Sequence, residues 1–228
     1  MLKNIRRKVG GMYYPQMKYQ PLPTSREMTV SGNGEITLQP DYAQIQIEVR
    51  TEGDNVSSAQ HENAIIMNRV IESLLNLNIR RDEIQTSAYN IFPTYDYIDG
   101  KQVLRGYEVQ NAITVKIVDI NQVGTVIDTA TRNGANHVSG IQFKIEHVDT
   151  YYRQALQYAL IDALGKAKSM AETMHATLEP LPIEIIEETN TATPIPYKML
   201  QLSNQQAVTP IEPGLITVTA TVKVKFQY

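Results

Sequence analysis

The 228-residue chain contains no cysteine, so disulfides, thiolate metal sites and cysteine nucleophiles are excluded together. The redox compartment stays open, because a cysteine-free protein is stable in either environment. Long apolar runs are missing as well, and nothing approaches the roughly 20 residues that span a bilayer. The opening MLKNIRRKVGGMYYPQMKY also lacks the apolar core of about 7–15 residues that a secretory signal needs. A cytoplasmic location without a transmembrane segment is therefore expected. A strong charge imbalance is lacking too: the formal net charge of −3 gives no general attraction to phosphate backbones, and nucleic acid is not an expected partner.

Charge does gather locally. Lys3, Arg6, Arg7, Lys8, Lys18 and Arg26 occur in residues 1–26 with no acid among them, interleaved with Gly, Pro and Tyr that break regular structure. Residues 1–26 are therefore read as a basic arm. Lys3, Arg6, Arg7 and Lys8 are its candidates for a weak contact with an anionic or membrane surface.

The motifs that carry chemistry are scarce. His61, His137, His147 and His175 show no ligand spacing. No G-x-S-x-G elbow is present. Ser31-Gly32-Asn33-Gly34 lies between extended segments and not at the start of a helix, so it reads as a bent or bulged strand and not as a phosphate cradle. Asp82-Glu83 and Glu187-Glu188 are sequence neighbours, which point to opposite faces if they lie in strands. Neither enzymatic activity nor a cofactor is expected.

Periodicity, by contrast, is plentiful. Ala43, Ile45, Ile47 and Val49 alternate with polar residues, as do Ile141, Phe143 and Ile145, and so does the closing ITVTATVKVKFQY; each marks a half-buried strand. Further strands are expected over 28–38, 84–97, 103–118 and 183–188, with Gln39-Pro40-Asp41 as a turn and Asp99-Gly100 joining a hairpin. Met67, Val70, Ile71, Leu74 and Leu75 form a helical stripe that Asn55 can cap. Asp119 and Gln122 suggest a capping box for a second helix with Ile120, Val123, Ile127 and Ala130 inward, stopping at Asn133-Gly134. Leu156, Ala159, Ala163, Ala167, Met170 and Met174 give the longest helix, whose alanines permit close packing. Residues 189–213 hold four prolines and no period, and read as a long loop. The fold class is α+β, a mixed or antiparallel sheet with about three helices packed on it.

Tyr89, Phe92, Tyr95, Tyr97 and Tyr107 concentrate on the central hairpin and, with Pro194, Pro196 and Tyr197 of the loop, form the candidate interaction surface. Two functions compete on these residues. One is a self-assembling structural or interaction module, a homo-oligomer or a binder of another protein; the other is a ligand-binding module with Tyr95 and Tyr107 lining a cleft.

Six blocks stand in a consistent order: MTVSGNGEITLQPDYAQIQIEV, IQTSAYNIFPTYDY, GYEVQNAITVKIVD, VIDTATRNGANHVSGIQF, ALGKAKSMAE and PGLITVTATVKVKF. In that order they resemble the SIMPL domain family over residues 27–228, the group that includes bacterial periplasmic immunogenic proteins and a mammalian binder of a Pelle-like kinase. The resemblance implies an α+β fold and, in bacterial relatives, ring-like or channel-like self-assembly. It brings no established catalytic residues.

Overall fold

The computed structural model describes residues 26–188, 195–197 and 209–228. Its elements are β1 (Glu27–Leu38), β2 (Tyr42–Gly53), α1 (Val56–Leu75), β3 (Ile84–Ile98), β4 (Lys101–Ile117), α2 (Val123–Arg132), β5 (His137–Lys144), α3 (Val148–Thr173), β6 (Glu184–Glu188), β7 (Ile195–Tyr197) and β8 (Leu215–Gln227). The class is α+β, all strand pairs are antiparallel, and the strands divide between two sheets. One has the order β1-β8-β6, with β7 also on β8; the other has the order β3-β4-β2-β5.

Each sheet hides one face beneath helices. Ala43, Ile45, Ile47 and Val49 of β2 pack with Ile113, Val115 and Ile117 of β4 under Met67, Val70 and Leu74 of α1 and Val123 and Val126 of α2. Asn55 starts α1 by accepting the Ser58 amide proton at 2.9 Å. Within that apolar layer sits a buried Asn63, whose Nδ2 donates to the carbonyls of Val49 at 2.9 Å and Val109 at 3.3 Å. The α1 stripe is narrower than its sequence pattern, since Leu75 is exposed.

In the other half, Ala155, Ala159, Ala163, Ala167 and Ala171 recur every four residues along α3, and all are buried against β1 and β8. Gly32 and Gly34 make this approach feasible. A Cβ on Gly32 would lie 2.0 Å from the Ala159 carbonyl oxygen, and one on Gly34 2.0 Å from that of Ala155. β1 runs opposite β8 without a register shift, so the glycines are not a bulge; they clear space for a helix backbone. Met170 and Met174, expected on this stripe, are exposed because the buried row descends through the alanines alone.

A shared cluster of Leu38, Phe143, Ile145, Val148, Ile216 and Val218 joins the halves. Three local expectations change. Asp119 caps a 3-10 turn (Ile120–Gln122) ahead of α2, and Gln122 donates to its carboxylate at 3.0 Å where a capping box would reach the backbone. Asp82 and Glu83 lie in another such turn, where Arg80 meets both at 3.2 and 3.3 Å. Within the proline-rich stretch, Ile195–Tyr197 is a short strand opposite Leu215–Thr217.

Candidate functional site: an overhanging aromatic ribbon

β4 runs beside β2 only as far as the pair Gly53↔Tyr107. There β2 ends and the chain turns into α1, while β3 and β4 continue together to the pair Ile98↔Lys101. Asp99 and Gly100 close the hairpin with φ of 52° and 76°, the left-handed pair that a two-residue turn requires. The last stretch of the hairpin is thus a two-stranded ribbon with no neighbour among the described residues.

Its root is tightly built. A Cβ on Gly106 would come within 2.5 Å of the Gly53 carbonyl oxygen, so the strands cross where side chains have no room. Between Thr94 and Tyr95 the register shifts, leaving Arg105 as an extra residue, whose guanidinium reaches Glu52 at 2.5 Å. Such a bulge increases local twist and re-aims the strands beyond it.

Alternation along β3 sorts its side chains. Ile91 lies opposite the buried Val109, and the Tyr89 hydroxyl accepts from Gln60 of α1 at 3.3 Å, so this is the helix-covered face. Pro93, Tyr95 and Tyr97 continue the same face, with Leu104 opposite Tyr95, beyond the point where α1 begins. The core face therefore runs on with nothing over it among the described residues: Tyr97 is 76% exposed and Leu104 50%. Phe92, opposite Glu108, faces the other way, and so do Ile98 and Val103, all exposed.

Of the residues expected to form the surface, the structure gathers Tyr89, Tyr95, Tyr97 and the half-buried Tyr107 on one face and leaves Phe92 on the other. Tyr197 and Pro196 lie on β7, in the other sheet. Pro194, Lys3, Arg6, Arg7 and Lys8 are outside the described residues. Leu104, Val103 and Ile98 escaped the sequence reading, because their exposure depends on the pairing partner that β4 loses after Tyr107.

The hollows have other linings. A cleft of about 610 Å³ lies between the halves, bordered by Pro40, Asp41, Asp119, Ile211, Glu212 and Pro213 among others. Neither Tyr95 nor Tyr107 borders this cleft or the two shallower hollows over β1, so none of these is the aromatic-lined cleft. His137 Nε2 stands 4.0 Å from the Glu48 carboxylate, on the open sheet face, where Arg50 already chelates Glu48 at 2.8 and 3.2 Å. That hydrogen bond raises the Arg50 pKa. Among the described residues, no group of three or more His, Cys, Asp or Glu side chains is placed to hold a metal.

Fold and surface together define a two-sheet α+β protein whose most distinctive feature is an apolar ribbon left uncovered by the described residues. Residues 28–226 match the family SIMPL, a group of proteins of unknown function, and the chain belongs to it. It is 26% identical over 200 residues to the 26 kDa periplasmic immunogenic protein of Brucella melitensis, covering 86% of this chain and 78% of that one. To the uncharacterized protein YggE of Escherichia coli K12 it is 27% identical over 161 residues, 70% of this chain and 65% of its relative. The chain thus matches just under two thirds of the YggE length. The family indicates no catalytic class. No helix among the described residues is long and apolar enough to cross a membrane, which leaves membrane crossing by strands untouched.

Proposed function

We propose that the chain is a non-catalytic interaction module that associates with copies of itself through the β3–β4 ribbon. The supporting observation is the continuation of a core face, through Tyr95, Tyr97 and Leu104, past the helix that covers the rest of it. A two-stranded ribbon is marginal alone in water, and each large apolar side chain left in solvent forgoes roughly 1.5–3 kcal/mol of burial. Stable cover requires an occupant that is always present, and a second copy of the chain meets that condition. The strand edges at the ribbon, unpaired among the described residues, add backbone donors and acceptors to the same contact.

Sedimentation of the full chain tests this reading. A defined oligomer is expected at micromolar concentration, and Tyr95→Ser with Tyr97→Ser should reduce it to monomers with unchanged circular dichroism. A wild-type monomer at high micromolar concentration would overturn the proposal. The Brucella relative's name, which says periplasmic, supports an exported setting over the cytoplasmic expectation. Absence of cysteine suits that setting equally. Cell fractionation decides between the two.

A further inference from the structure

We infer that the surface covering the ribbon is the outward ridge of α3 on another copy, so that association runs head to tail; this rests on the self-association proposed above. The ribbon face is the continuation of a sheet face that a helix covers, and a further helix lying on it completes the same two-layer arrangement. The longest helix among the described residues, α3, carries exposed apolar residues on its outer side. Two residues on from the buried Ala159 and Ala163, and so on the opposite side of α3, stand Ile161 and Gly165. Ile161 is 66% exposed, and a Cβ at Gly165 would meet nothing within 4 Å. A bare glycine next to an exposed isoleucine lets an incoming ribbon approach closely, and Leu160, also exposed, widens the patch.

Charge favours the same pairing. At the root of the ribbon and at its turn, Asp54 and Asp99 have no ion-pair partner among the described residues, and neither do Arg153 and Lys168, which bracket the α3 patch. Lys101 and Asp96 are likewise unpaired among the described residues, and both lie on the ribbon's other face. Two acids thus face a ridge whose unpaired Arg153, Lys168 and Glu172 sum to one positive charge, across a contact whose two sides are different surfaces, which is a heterologous interface.

Two singly defective chains separate this arrangement from a ribbon-on-ribbon contact. Ile161→Glu should weaken self-association at least about 30-fold, the loss typical of a central interface residue, and Gly165→Glu, placed in open space, should do the same without disturbing the fold. Tyr95→Ser with Tyr97→Ser should also give monomers. Mixing the α3-defective chain with the ribbon-defective chain should then yield a 1:1 heterodimer, since one intact half remains on each. The inference is overturned if Ile161→Glu and Gly165→Glu assemble like the wild type, or if the two monomeric variants fail to combine when mixed. A monomeric wild type would instead remove the self-association reading beneath it.

Discussion

The two halves of the molecule solve the same packing problem with different completeness. α3, at 26 residues, spans ~39 Å, and the 12-residue β1 beneath it spans ~41 Å. α1, at 20 residues, spans ~30 Å, while the 17-residue β4 that it covers runs to ~58 Å. The first sheet is matched to its helix along its length; the second outruns its helix by roughly the length of the ribbon. Edge management differs in the same sense. Asp162 and Lys166 of α3 reach over the outer edge of β1, where Asp162 accepts the Asn33 amide proton at 2.8 Å and Lys166 donates to the Ser31 carbonyl at 3.0 Å. Nothing comparable closes the ribbon among the described residues. Among the described residues, one sheet is finished and the other is left open at one end.

The comparison breaks most readily at the α3 contact. Gly34→Val places carbon into the Ala155 backbone and should cost about 3 kcal/mol or more, the upper range of core overpacking. Gly165→Ala, on the same helix but facing open space, should instead stabilise by about 0.5–1 kcal/mol. Urea unfolding of both variants measures the contrast, and equal midpoints would mean that the α3 backbone does not press on β1. In the other half, Asn63→Ala removes the donor that serves two buried carbonyls and should cost about 1–3 kcal/mol. On the ribbon, Tyr97→Ser should shift the unfolding free energy of the monomer by less than about 0.5 kcal/mol, because so exposed a side chain contributes little until a partner covers it. A larger loss there would place Tyr97 in the monomer core.

Legibility in the sequence depends on which interactions are local. Ile216, Val218, Val222, Val224 and Phe226 alternate because one face of β8 is buried along its whole length, so period two is enough to find it. The alanines of α3 read as a close-packing row for the same reason. The role of Gly32 and Gly34 was not legible, since the atoms that forbid a side chain belong to residues more than a hundred positions away. Asn63 escaped because a polar residue inside an apolar stripe looks like an interruption until the carbonyls of Val49 and Val109 are placed beside it. The aromatic residues of the ribbon were visible as a cluster, but their exposure depends on the register that sets Gly53 opposite Tyr107. A strand's own pattern carries no information about where its neighbour stops.

The smallest expected effect concerns the β1 edge clamp and comes with a pH signature. The Lys166 ammonium, and after it the Asn33 amide, holds the Asp162 carboxyl below the usual aspartate value. A carboxyl depressed in the folded state stabilises fully above its unfolded pKa of about 3.9 and loses that contribution as pH falls through the lower folded value. Both partners are substantially exposed, so the clamp contributes less than about 1 kcal/mol. Asp162→Asn keeps an oxygen that can accept from Asn33 but removes the charge that faces Lys166. Urea midpoints of the variant should fall slightly below wild type at pH 7, and the gap should narrow as pH falls below the unfolded value of about 3.9, as the wild-type carboxyl takes up its proton. A gap that stays the same size across this pH range would assign the effect to packing of α3 and not to the charge on Asp162.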